Sequence, residues 1–226
     1  MTSALTSGLQ LQGVTLSVAE HLLCLELSLQ IGGGELLALM GPSGCGKSTL
    51  LAWITGTLNR SFSARGILRL GGAEVHHLPP ERRRIGLLQQ DDLLFPHLNV
   101  HDNLLLAVPR HYAQSERHRR VGQALQQAEL ADMAGRDPLT LSGGQRARVS
   151  LMRTLLAEPL ALLLDEPFNR LDQALREQMR QFVYGHLRDS GLPTLLVTHD
   201  PQDIPAGATV LHWPMVSPTE GAPYHA

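Results

Sequence analysis

Nine consecutive residues, Gly41-Pro42-Ser43-Gly44-Cys45-Gly46-Lys47-Ser48-Thr49, satisfy the pattern G-x-x-x-x-G-K-[ST]. Glycines at this spacing let the backbone wrap so that successive N–H groups point at anionic oxygens, and a helix starting at the lysine adds the positive end of its dipole. The chemistry implied is the cradling of a nucleoside triphosphate, with Lys47 reaching the terminal phosphates and the Ser48 hydroxyl available to Mg²⁺. Cys45 reads as a small residue tolerated in the loop. Of 19 basic residues Lys47 is the only lysine, which marks a site where a planar guanidinium does not serve.

A second cluster lies far along the chain. Asp165 and Glu166 follow the apolar run from Leu160 to Leu164, which places two carboxylates side by side at a strand end. Alone they read as an ordinary acidic helix start, since Pro167 follows. Beside a phosphate loop, Asp165 suits a Mg²⁺ ion and Glu166 suits polarising an attacking water. A third segment, Leu141-Ser142-Gly143-Gly144-Gln145, reads as another helix start, with Ser142 as N-cap and two glycines leaving first-turn amides open to an anion. One loop already supplies a full cradle, so this second start points to a nucleotide held by another copy of the chain.

The elements that must position these groups follow from hydropathy patterning. Leu9 to Val18 and Leu22 to Ile31 read as strands, turned by Gly32-Gly33-Gly34 into a third at Leu36 to Met40. The continuous apolar runs at Leu36 to Met40, Leu160 to Leu164 and Thr194 to Val197 fit strands buried on both faces of a parallel sheet. Each run ends in a polar cluster: the phosphate loop, Asp165-Glu166, and Thr198-His199-Asp200. Ligands of open parallel sheets bind at the carboxyl ends of the strands, so these clusters are expected to converge. A helix from about Lys47 to Leu58 follows the loop, short strands are expected at Gly66 to Leu70 and Arg84 to Leu88, and a last one at Thr209 to Trp213. Between Asp91 and about Ala157 the pattern is helical, with helices expected at Val100 to Val108, Ser115 to Leu130 and Ser142 to Leu156. Arg170 to Arg188 reads as an amphipathic helix of the core.

Composition narrows the class. With 226 residues, 43% of them hydrophobic, the chain can bury a real core, and a net charge of −2 offers no polycation for nucleic acid or anionic lipid. Arg82-Arg83-Arg84 reads as a solvated charge run, because no aromatic platform accompanies it. The two cysteines, Cys24 and Cys45, are too few for a disulfide framework. No stretch approaches the roughly 18 apolar residues of a membrane helix, and the first residues lack a signal-peptide pattern, so the chain is expected to stay inside the cell.

Taken together, Gly41 to Thr49, Gln90, Leu141 to Gln145, Leu160 to Glu166, Asp172 and His199 stand in the order and spacing of an ATP-binding subunit of ABC transporters. The resemblance extends from about residue 9 to 213. It is nearest to bacterial importer subunits, because Gln90-Asp91 followed by Leu94-Phe95-Pro96-His97 is similar to their glutamine-loop region. The implied fold class is α/β: a P-loop NTPase core, RecA-like with a mainly parallel sheet, carrying an antiparallel β subdomain and an inserted α-helical subdomain. As one ABC ATPase domain, residues 1–90 and 158–213 form the core with its β subdomain, 91–157 the helical subdomain, and 214–226 a flexible tail.

The resemblance also implies function. Two subunits would face each other with two ATP molecules between them, each with Mg²⁺ held by Ser48, Gln90 and Asp165. Glu166, His199 and Gln90 would act on the terminal phosphate from one subunit, while Ser142, Gly143, Gly144 and Gln145 cap it from the other. Asp172 would communicate across the dimer. Implied partners are a second copy, integral-membrane permease subunits and a periplasmic or extracellular solute-binding protein, at the cytoplasmic face of the plasma membrane, with no nucleic acid. The rivals are an exporter or lipoprotein-extraction ATPase, a soluble ABC ATPase, and a small P-loop kinase, which has no need of Leu141 to Gln145. The family offers an aromatic residue near Val18 for the adenine ring, whereas His21 is the only nearby ring here, so weaker or less selective base binding is expected. The chain ends soon after the last expected strand, so the C-terminal regulatory domain of some importer ATPases is expected to be absent.

Overall fold

The computed structural model describes residues 8–213; the tail expected at 214–226 lies outside them. Two sheets organise the chain. The first is antiparallel, in the order β2-β1-β4-β5, from β1 (Leu9–Val18), β2 (His21–Ile31), β4 (Phe62–Leu70) and β5 (Ala73–Glu74). The second is parallel, in the order β6-β7-β8-β3-β9, from β3 (Leu36–Met40), β6 (Ile85–Leu88), β7 (Ala161–Asp165), β8 (Thr194–Thr198) and β9 (Thr209–His212). Among the described residues six α-helices connect them: α1 (Lys47–Thr55), α2 (Pro80–Arg83), α3 (Val100–Leu105), α4 (Gln114–Gln127), α5 (Gly143–Leu156) and α6 (Gln173–Ser190).

The apolar runs of the central strands are explained by burial on both faces. Alternate residues of β3, β7 and β8 point to opposite sides. Leu37, Leu39, Leu163, Leu195 and Val197 join α1 and the antiparallel sheet in one core. Ala38, Leu162, Leu164 and Leu196 pack on the other side against α5 and α6 through Leu151, Met179 and Val183. A separate core, built on Val100, Leu104, Val121, Leu125 and Val149, holds α3, α4 and the start of α5 together. The β7–β8–β3 register sets Asp165 beside Val197 and Met40 beside Thr198, so the three polar clusters emerge at one edge.

Several boundaries differ from the sequence reading for identifiable reasons. α1 stops at Thr55 rather than Leu58, because the chain turns left-handed at Gly56 (φ 84°), whose N–H returns to the Ala52 and Trp53 carbonyls. α6 begins at Gln173 rather than Arg170, because the Asp172 side chain caps it by accepting from the Leu175 N–H. β4 starts at Phe62, four positions before Gly66, since β1 pairs with it through Val18.

The arginine triplet corrects the expectation of a solvated run. Arg83 is only 7% exposed. Its guanidinium donates to the Trp53 and Ile54 carbonyls at 2.7 and 2.9 Å, and to those of Leu78 and His76 at 2.8 and 2.5 Å. A cation at the carboxyl end of α1 meets the helix dipole and two of its last carbonyls, that of Trp53 shared with the Gly56 N–H. Burial pulls the Arg83 guanidinium below the usual arginine value.

Candidate active site

The loop from Gly41 to Gly46 joins β3 to α1, and Gly46 caps the helix in the left-handed region at φ 100°. Lys47, first residue of the helix, is 5% exposed. Its Nζ donates to the Gly41 and Pro42 carbonyls at 2.9 and 2.6 Å, holding the ammonium across the loop. Cys45 is structural in the same sense, its thiol donating to the Pro42 carbonyl. Ser48 Oγ donates to Asp165 Oδ1 at 3.3 Å and so links α1 to the end of β7.

Burial pushes the Asp165 carboxyl above the ordinary aspartate value, and the Ser48 hydrogen bond and the charge of Lys47 oppose that push while Glu166 adds to it. A half-buried carboxylate beside a hydroxyl is an oxygen donor set that suits a hard divalent cation. Glu166 sits at φ 47°, a conformation costing a non-glycine residue of order 1–3 kcal/mol that persists only where the surroundings over-determine it. Here its N–H is fixed to the Val197 carbonyl at 2.9 Å. One carboxylate oxygen accepts from the Asn169 amide, and the other lies 3.3 Å from His199 Nδ1. The aim of Glu166 is thus set from both sides.

Lys47, Ser48, Gln90, Asp165 and Glu166 line one cleft of about 510 Å³ together with Ser43, Gly44, Gly46 and Thr49. Gln90 also lines a neighbouring cleft of about 110 Å³ with Asp92, Gly143 and Arg146. That second cleft ties the segment after β6 to α5: Arg146 reaches Asp92 Oδ2 at 3.1 Å, Ser150 Oγ donates to the Asp92 carbonyl, and Arg153 donates to the carbonyls of Asp92 and Leu93. The Asp92 carboxyl is raised by burial in spite of Arg146 and Arg153.

Two expected groups stand elsewhere in this chain. Ser142 and Gln145 form a reciprocal capping box at α5, the Ser142 Oγ accepting from the Gln145 N–H and the Gln145 side chain from the Ser142 N–H. Neither they nor Gly144 line the phosphate-loop cleft, and Gly143 lines only its neighbour. Asp172 is spent locally as the cap of α6.

Sequence reasoning missed two residues. Trp213, 2% exposed, donates its backbone N–H to the Met40 carbonyl at 2.7 Å and its indole N–H to the Cys45 carbonyl at 2.6 Å. A Cβ at Gly41 would stand 2.3 Å from the Trp213 carbonyl oxygen, so the loop's first residue must be glycine. The other is Phe62, which lines the phosphate-loop cleft. No local pattern announces either, because both act through strands distant in the chain.

A parallel sheet whose strand ends carry this loop and an adjacent carboxylate pair defines a P-loop nucleoside triphosphatase. Residues 24–169 match the sequence profile of the ABC transporter family. The chain is 48% identical over 200 residues to the uncharacterized ABC transporter ATP-binding protein YnjD of Escherichia coli K12, covering 88% of this chain and 92% of that protein. It is 40% identical over 195 residues to the maltose/maltodextrin import ATP-binding protein MalK of the same strain, covering 86% of this chain. The corresponding MalK of Salmonella typhimurium is 39% identical over 195 residues. The chain spans about half the length of these MalK proteins, 52% of each. It belongs to the ABC transporter ATP-binding family and is an ATP-binding ATPase.

Proposed function

We propose that this ATPase powers uptake of a small solute through a separate membrane permease, by ATP-driven closing and opening of a dimer of two copies. The observation that carries the hydrolytic reading is the convergence of Lys47, Ser48, Gln90, Asp165 and Glu166 on one cleft, with His199 against Glu166. The loop amides and Lys47 hold the phosphates. Ser48, Asp165 and Gln90 are the residues that would hold Mg²⁺, which when bound neutralises phosphate charge. Glu166 orients and polarises the attacking water, and His199 steadies Glu166 and reaches the γ-phosphate.

The separation of Ser142, Gly144, Gln145 and Asp172 from this cleft supports a dimer, because the start of α5 stands away from its own chain's cleft and serves a nucleotide carried by a second copy. ATP then closes the pair by offering contacts to both, and hydrolysis removes that bridge. Among the described residues no helix is long and apolar enough to cross a membrane, which agrees with a peripheral subunit docked on a permease. Leu93 and Phe95, exposed just beyond Gln90, are a suitable surface for that docking. Uptake, with a solute-binding protein as third partner, is favoured by the likeness to the two MalK importers.

Glu166→Gln tests the assignment. Hydrolysis is expected to fall about 10²–10⁴-fold while ATP binding persists and an ATP-loaded dimer accumulates in size-exclusion light scattering. A variant hydrolysing at the parental rate removes Glu166 from the mechanism, and a strictly monomeric ATP-loaded variant removes the dimer. In vesicles holding the permease, solute moving toward the compartment containing ATP is the expected direction; movement away from it makes the subunit an exporter ATPase.

A further inference from the structure

The phosphate-loop cleft has a second end that the hydrolytic residues do not use. Its walls there are Val18, Leu23 and Phe62, all apolar, in a cleft whose other end is built of backbone amides, an ammonium and carboxylates. Val18 closes β1 and Phe62 opens β4, and the two are direct partners in the antiparallel ladder. Directly opposed residues project to the same face of a sheet, so the Phe62 ring stands beside the Val18 isopropyl group. Leu23, from β2, packs against the loop itself: a Cβ on Gly46 would lie 3.3 Å from Leu23 Cβ. The apolar end is therefore continuous with the phosphate cradle.

The turn before Phe62 fixes its entry into the strand. The Phe62 N–H donates to the Asn59 carbonyl at 3.0 Å, and Asn59 Oδ1 accepts from both the N–H and the hydroxyl of Ser61. Phe62 is half-buried, so one part of the ring packs while the rest faces the cleft. Among the described residues it is the only aromatic one lining the cleft.

We infer that Phe62 is the stacking platform for the base of the bound nucleotide, supplied from β4. The inference rests on the nucleotide reading of the cleft. With the triphosphate on the loop, the rest of the ligand extends toward an end that offers a π-face and two aliphatic side chains. Every base has a π-face, and an apolar wall has no donor or acceptor to read base edges. Phe62 therefore adds affinity without choosing between adenine and guanine. The weak base binding expected from the β1 position alone is replaced by ordinary strength with low selectivity.

Titrations of the parent, Phe62→Ala, Phe62→Trp and Lys47→Ala with ATP, GTP and inorganic tripolyphosphate test this. Phe62→Ala is expected to lose about 5–150-fold in affinity for ATP and GTP alike, the range that removal of one stacking aromatic produces. Its affinity for tripolyphosphate, which has no base, stays parental and shows that the cleft is folded. Phe62→Trp keeps ATP affinity. Parental ATP affinity in Phe62→Ala, with Lys47→Ala losing both ATP and tripolyphosphate, overturns the role of Phe62 and leaves the nucleotide cleft standing. Lys47→Ala retaining both ligands overturns the cleft itself. Equal loss of ATP and tripolyphosphate in Phe62→Ala also counts against stacking.

Discussion

Arg83→Met is the most informative stability test, because it removes the guanidinium while keeping an unbranched stem of similar reach. Four carbonyls lose the guanidinium as donor, and that of Trp53 keeps the Gly56 N–H. Those of Leu78 and His76 lie in contacts only partly buried and can turn to water, but the bonds to Trp53 and Ile54 are buried. Orphaning a buried carbonyl costs about 1–3 kcal/mol; only that of Ile54 is orphaned, and the relieved burial of the cation offsets part of the cost, so a net loss of roughly 1–2 kcal/mol is expected. For a chain of this size each kcal/mol lowers Tm by roughly 2–4 °C, giving a fall of about 2–8 °C by scanning calorimetry. Arg83→Lys should recover at most half, since a point ammonium cannot bridge both ends of the carbonyl set. A melting temperature within about 1 °C of the parent for Arg83→Met would refute the argument that this cation holds the carboxyl end of the helix whose other end bears Lys47.

Two further outcomes are expected. Trp213→Phe keeps the packing but removes the donor to the Cys45 carbonyl; with about 1–1.5 kcal/mol lost, KM for ATP should rise roughly 5–10-fold at unchanged kcat, and a fall in kcat alone would place the effect elsewhere. Glu116 is held at about 2, below the usual 4.5, chiefly by the Arg119 hydrogen bond, with Arg120 assisting. Its folded value is depressed, so the stability it contributes is present above the unfolded value near 4.5 and is lost as pH falls toward 2. Glu116→Gln should therefore flatten the pH dependence of the urea midpoint in that window, and an unaltered dependence excludes the pair as its source.

What could be read in the chain was local. The limits of β1 and β3 follow directly from hydropathy bounded by turn residues, and Lys47, Ser48, Asp165 and Glu166 meet where parallel strand ends must meet. What escaped depends on pairing between distant segments. Phe62 becomes part of the cleft only because β1 lies between β2 and β4 in the sheet order, which no periodicity encodes. Arg83 looks solvated between two other arginines until the end of α2 is seen to turn it under α1. Asp172 shows the opposite case: the resemblance implies a role across a dimer, while its side chain within this chain caps a helix.

Trp213 has a practical consequence. The chain contains two tryptophans: Trp53 lies in α1, and Trp213 is clasped beneath the turn that precedes it. Trp53 sits at the far end of that helix, so it is the Trp213 indole that touches the phosphate loop, and a backbone adjustment there alters the surroundings of the fluorophore bonded to it. Emission from Trp213, isolated by Trp53→Phe, is a built-in optical gauge of occupancy, requiring no label and no coupled assay.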